Sequence, residues 1–102
     1  MSDVRKTINN QTFEWDSEKD QINFQKHRIR FDVAANVFKD ENRIDQFDEE
    51  HSDEENRYIT IGRVKEILFV VYTEREDATR LISARRANKE ERRNYYAGSE
   101  SY

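Results

Sequence analysis

The chain has 102 residues, enough for one domain that buries roughly two-thirds of its unfolded surface. It contains no cysteine, which excludes disulfides and thiolate metal sites and fits a reducing compartment. No apolar run approaches the roughly 18 residues of a membrane span, so a cytoplasmic protein with no membrane partner is expected. Charged residues make up 39% of the chain and the net charge is −4, which argues against a free-standing nucleic-acid binder. The charge is uneven, with a net −6 over residues 1–62 and +2 over residues 63–102. A basic C-terminal surface follows, either facing phosphate or simply solvated.

Residues 1–11 are polar and aperiodic and are expected to be a frayed leader. Order is expected to begin with a short strand at Thr12–Trp15, with Phe13 and Trp15 on one face. Asp16 or Ser17 can cap a helix running to about His27, with Glu18 and Asp20 in its first turn, where the helix dipole favours anions. Its apolar content is thin, mainly Ile22 and Phe24. Asp32 is expected to cap a second helix buried along Ala34, Val37 and Phe38, so that the two form a helical hairpin. An edge strand is expected over residues 43–48.

Asp48 to Glu55 is an acidic loop around His51. Its composition invites a metal reading, but charges this close in sequence are usually solvated, and no metal is assigned to it. The next strand, Arg57–Arg63, puts Arg57, Ile59, Ile61 and Arg63 on one face and Tyr58 and Thr60 on the other. Gly62 marks a strand end or a bulge.

The run Ile67–Tyr72 is apolar at both even and odd positions, which predicts a central strand covered on both faces. A polar turn and a strand from Thr79 to Arg85 complete a hairpin. Asn88 and Glu91 have capping-box spacing, predicting a helix over Lys89–Tyr96 with Gly98 as its stop and residues 99–102 frayed. Helices and strands fall in separate runs, so the fold class is α+β: two N-terminal helices packed on a small antiparallel sheet, with a C-terminal helix. Residues 12–98 form the single domain.

Several stretches are familiar in combination: Phe13-Glu14-Trp15-Asp16, Lys26-His27, Glu55-Asn56-Arg57-Tyr58-Ile59-Thr60-Ile61-Gly62-Arg63, Val71-Tyr72-Thr73-Glu74-Arg75, Ile82-Ser83-Ala84-Arg85-Arg86-Ala87 and Glu91-Arg92-Arg93-Asn94-Tyr95. In this order and spacing the chain resembles the BrnT family of type II toxins, from about Thr12 to Ala97. The resemblance implies a RelE/ParE-like fold and a ribonuclease that arrests translation. It implies a cognate BrnA-like antitoxin, a toxin–antitoxin hetero-oligomer, and operator DNA bound through that complex. No cofactor is expected. One departure stands out. The family usually has glycine after the Lys-His pair, and this chain has Arg28.

Metal-free RNA cleavage needs the 2′-hydroxyl deprotonated, the leaving 5′-oxygen protonated and the phosphorane charge stabilised. Arginine suits the last task, because its planar fork grips phosphate and stays charged. Arg63 and Arg85, at strand ends, are the candidate catalytic cations, with Glu74 or His27 as candidate acid–base groups. Trp15, Lys19, Lys26, Tyr72, Arg75 and Arg80 are candidate RNA contacts. Each has a bland alternative: ion pairs for the arginines, the core for Trp15 and Tyr72, a helix-end role for His27. Other readings of the same residues are a non-catalytic module within a repressor complex and a gyrase-targeting toxin. Parity puts Arg63 and Arg85 on a shared face only if the strands pair suitably, and it sets Arg80 opposite Arg85.

Overall fold

The computed structural model describes residues 3–99. Two strands come first, β1 (Asp3–Ile8) and β2 (Gln11–Asp16), followed by helix α1 (Ser17–His27) and a short helix α2 (Phe31–Ala34) that continues as a 3-10 turn, Ala35–Lys39. Then come β3 (Ile44–Phe47), a 3-10 turn at Glu49–His51, β4 (Tyr58–Val64), β5 (Glu66–Arg75), β6 (Ala78–Arg86) and helix α3 (Lys89–Ser99). All six strands form one sheet in the order β1-β2-β6-β5-β4-β3.

The α+β class is as expected, but three details differ. The sheet is larger than anticipated and mixed, because β2 runs parallel to β6. The second helix is a single turn that tightens into 3-10 geometry. Much of the anticipated frayed leader is β1, paired with β2 along its whole length. The overlooked signal is Asn9-Asn10, which turns this hairpin with φ of 53° and 68°. Asparagine tolerates the left-handed region that a two-residue hairpin turn requires. Val4 and Ile8 then reach the core. At the other end α3 passes through Gly98 instead of stopping there; residues 100–102 of the anticipated frayed tail lie outside the described residues.

As expected, β5 is a central strand with both faces covered. Leu68, Val70 and Tyr72 meet the helical layer formed by α1, α2 and the 3-10 turn, together with Phe13, Trp15, Phe31 and Val37. Ile67 packs on the opposite face with Ile59, Ile61, Ala87 and Tyr95, and Phe69 and Val71 pack against that cluster. Gly62 lies on the helical side, where an added Cβ would stand 2.6 Å from Val37 Cγ2. The residue is therefore needed for the close approach of β4 to the 3-10 turn.

The first helix is held in an unexpected way. Asp16 caps it, accepting from the N–H groups of Glu18 and Lys19, but Ile22 is 53% exposed and the buried residue of α1 is Asn23. Pairing of β2 with β6 ends after Glu14 and Arg80, which leaves the outer edge of β6 without a strand. The Asn23 carboxamide takes that place, accepting from the Ala84 N–H at 3.1 Å and donating to the Ala84 and Ile29 carbonyls at 2.9 Å. Asp32 does not cap α2. The Asp20 carboxylate accepts from the Phe31 N–H at 2.8 Å, and Asp32 sits in the first turn.

Arg28 ends α1 with φ 61° and donates its N–H to the Phe24 carbonyl at 2.8 Å. A side chain there costs about 1–2 kcal/mol relative to a relaxed backbone, partly offset by the guanidinium lying 5.5 Å from the Phe24 ring. Arg28→Gly is expected to stabilise the fold by about 0.5–1 kcal/mol, read as a raised midpoint in urea. Asn23→Ala strands three buried backbone groups and is expected to cost about 3 kcal/mol; an unchanged midpoint would contradict the role given to this residue.

Candidate active site

Strand pairing decides which side chains share the face opposite the helical layer. Arg63 pairs with Ile67 and Arg85 with Phe69, so both arginines lie on this face. Arg80 joins them. The register shifts between Val71 and Tyr72: Val71 faces Ser83 but Tyr72 faces Leu81, so Ile82 is an extra residue. This bulge reverses parity and returns Arg80 to the face of Arg85. Arg75 pairs with Ala78 on the same side.

These four arginines do not meet at one point. Arg85 lies 3.9 Å over the Phe69 ring and makes two 2.9 Å bonds to Glu91 of α3. Arg63 donates to the Tyr96 hydroxyl at 2.7 Å, further along the same helix. Arg80 is bound to Glu14 and Asp3, each at 3.1 Å. Arg75 grips Glu55 at 3.1 and 3.2 Å and lies 3.6 Å from Glu14. Arg5 adds a 3.0 Å contact, so the buried carboxylate of Glu14 gathers three guanidinium groups. The bland reading of Arg80 and Arg75, as structural ion pairs, matches their surroundings.

The remaining candidates lie elsewhere. His27 ends α1 on the helical side of the sheet, and its carbonyl accepts from Arg86 at 2.9 Å. Glu74 pairs with Thr79 on the face opposite Arg85 and accepts from the Thr79 hydroxyl at 2.8 Å. Trp15 is 3% exposed and meets Phe31 edge-on, so its ring is core and not available to stack a base. Tyr72 is buried, stacks on Tyr58 and donates to Asp45 at 3.2 Å. Burial, reinforced by the Asp45 charge, pushes its hydroxyl up to about 12. Lys19 and Lys26 lie exposed on α1.

A groove of about 490 Å³ opens on the Arg85 face. Ile59, Phe69, Val71 and Ile82 supply its apolar floor, and Ser83, Arg85, Arg57, Asp48, Glu50 and His51 its polar lining. One wall is the acidic loop, which is tethered and not simply solvated. The Asp48 N–H donates to the Arg57 carbonyl at 2.9 Å, and the Ser52 hydroxyl accepts from the Arg57 N–H at 2.9 Å while donating to the Asp48 carbonyl. Glu55 crosses to Arg75 and to the Thr73 hydroxyl. Hydrogen bonds from Arg75 hold the Glu55 carboxyl below the ordinary carboxylate range. The ring of His51 is 3.0 Å from Asp48 through Nδ1. Among the described residues no cluster of three His, Cys, Asp or Glu side chains is placed to hold a metal ion. Arg57 carries no ion pair within 4.0 Å among the described residues, in contrast to Arg85.

Comparison with known proteins bears on this arrangement. The profile of the family described as "Ribonuclease toxin, BrnT, of type II toxin-antitoxin system" matches residues 15–91. The chain belongs to the BrnT family. The crystal structure of the Brucella abortus ribonuclease toxin BrnT aligns with a TM-score of 0.56 at 25% identity, over 74% of this chain and 94% of that one. No curated protein matches the chain. As a BrnT-family chain it falls among ribonuclease toxins of type II systems, for which an antitoxin partner is expected, and none of its described helices is long and apolar enough to cross a membrane.

Two carboxylates outside the groove, Glu91 on α3 and Asp40 after the 3-10 turn Ala35–Lys39, fasten α3 to the sheet. Burial pushes Glu91 up, but hydrogen bonds from Arg85 and the Asn88 N–H, with the Arg85 charge, outweigh it and hold Glu91 below its ordinary 4.5. The Asn88–Glu91 capping box is formed as the spacing predicts, with both reciprocal bonds at 2.8 Å. Burial likewise pushes Asp40 up, and the Tyr95 hydroxyl, the N–H groups of Asn42 and Arg63 and the Arg63 charge bring it below 3.8. Both folded carboxyls bind protons less readily than their unfolded counterparts. Their stabilisation is therefore complete above their ordinary values and is lost as pH falls through the depressed ones. Urea midpoints measured from about pH 6 down to about pH 3 should fall steeply below about pH 4.5, and Asp40→Asn should flatten that limb.

Proposed function

We propose that this chain cleaves single-stranded RNA in the cytoplasm without a metal ion, halts translation when unopposed, and is neutralised by a BrnA-type antitoxin. In the same reading the toxin–antitoxin hetero-oligomer binds operator DNA. The observation that carries the proposal is the groove itself. Its apolar floor can seat a base, and two guanidinium groups, Arg57 and Arg85, border it.

The two arginines have different tasks. Arg57, with no carboxylate partner within 4.0 Å among the described residues, can meet a phosphate at once. Arg85 is oriented by Glu91, which takes both terminal nitrogens of its fork, and by the Phe69 ring beneath it; its side chain is 36% exposed, so a phosphate oxygen can approach the N–H groups that Glu91 leaves over. Charge developing on the phosphorane is where such preorganised cations act most strongly. Arg63, held at the other end of α3, is assigned to a flanking contact with the RNA backbone, while Arg75 and Arg80 act by fixing the loop and the sheet.

Purified chain is expected to cut a mixed-sequence single-stranded RNA in the presence of a chelator. Arg57→Ala is expected to lower kcat/KM by about 10²-fold, with little change in stability because no ion pair within 4.0 Å among the described residues is broken. Arg85→Ala should lower it at least as much, with some loss of stability from the unpaired Glu91. RNA left intact by the wild-type chain would overturn the enzymatic reading, and cleavage abolished by the chelator would overturn metal independence alone.

A further inference from the structure

His51 is one of two histidines in the chain, and it is the one that borders the groove; the other, His27, ends α1 on the opposite side of the sheet. We propose that His51 is the general base of the cleavage step and that Asp48 is its positioning residue, an assignment that rests on the ribonuclease reading above. Three observations carry it. First, Asp48 has a side chain only 12% exposed and lies 3.0 Å from Nδ1 of His51. An ionised carboxylate only accepts hydrogen bonds, so this contact places the ring proton on Nδ1 and leaves the Nε2 lone pair outward. Second, the imidazole is 61% exposed and lines the same groove as Arg57 and Arg85. Third, the loop that carries the pair is closed by Asp48 and Arg57 at its base, by Ser52 within it and by Glu55 across β5. These tethers hold the pair in place beside the groove.

In the proposed step Nε2 of His51 takes the proton of an RNA 2′-hydroxyl. The 2′-oxygen attacks the adjacent phosphorus, and the bond from phosphorus to the 5′-oxygen breaks. The leaving 5′-oxygen takes a proton from solvent water, the hydroxide left behind takes the proton from the His51 imidazolium, and the products are a 2′,3′-cyclic phosphate and a 5′-hydroxyl. No electrons are exchanged. Arg57 and Arg85 hold the extra negative charge of the phosphorane. Asp48 steadies the imidazolium as it forms, and Glu50, 3.9 Å from Nε2, adds to that attraction. The other charged groups on or facing this loop are Glu49, Asp53, Glu54 and Glu55 from the loop itself, Arg57 from its end, Arg75 from β5 and Arg85 from β6.

The test compares the wild-type chain with His51→Ala, His51→Gln and Asp48→Asn on the same single-stranded RNA. Both His51 variants are expected to lose about 10²–10⁴-fold in kcat with KM little changed. They should lose the acid limb of the pH–rate profile, and added imidazole should restore part of the rate of His51→Ala. Asp48→Asn should lose less than either His51 variant, chiefly in kcat, because the ring loses the partner that orients it. An active wild type whose His51 variants keep its kcat and its pH profile would overturn the assignment. A wild type that cuts no RNA overturns the ribonuclease reading instead, and the base falls with it, so the two failures are distinct.

Discussion

The placement of the helical layer depends on one buried carboxamide. β2 leaves β6 after two paired residues, and an exposed strand edge at that point would be open to solvent or to another strand. Asn23 closes it, pairing with both backbone groups of Ala84 and reaching on to Ile29. A single side chain thus ties α1, the connection to α2 and the central hairpin together. Because α1, α2 and the 3-10 turn are held on one face, the other face remains for α3 and for the groove.

That second face is organised by charge more than by apolar packing. Buried Glu14 collects Arg5, Arg75 and Arg80, Glu91 holds Arg85, and Asp40 receives Tyr95 and the backbone of β4. Asp40 lies at the end of the 3-10 turn and Tyr95 on α3, so this carboxylate links the helical layer to the far side of the sheet. Most arginines that looked available for phosphate are engaged by carboxylates. This is how a chain with 39% charged residues keeps a defined surface. It also gives weight to Arg57 at the groove mouth.

Local chemistry was legible where one residue or one short spacing decides the outcome. Asp16 as a cap, the Asn88–Glu91 box and the two-sided apolar run of β5 are such cases. The misses share another feature. α1 was read by its apolar residues, yet its buried contact is polar, and hydropathy does not register an asparagine satisfied by three backbone groups. β1 was passed over because four of its six residues are charged or polar, although Asn9-Asn10 carries a hairpin signal. The acidic loop was read as solvated because its tethers run through backbone groups and through partners on β5.

By itself the sequence determined the α+β class, the Asp16 cap and the Asn88–Glu91 box, the central position of β5 and, through residues 15–91, the family. Those features depend on neighbours within a few positions or on a pattern of residue identities. Only the tertiary structure decided which cations share a face and which stand beside the groove. One bulge at Ile82 restored Arg80 to the side of Arg85, against a simple alternation of side chains. It likewise took the fold to move His27, Glu74, Trp15 and Tyr72 away from the groove and to bring His51 and Asp48 to its rim. Strand order and register place residues far apart in the chain side by side, and no period along the chain records that.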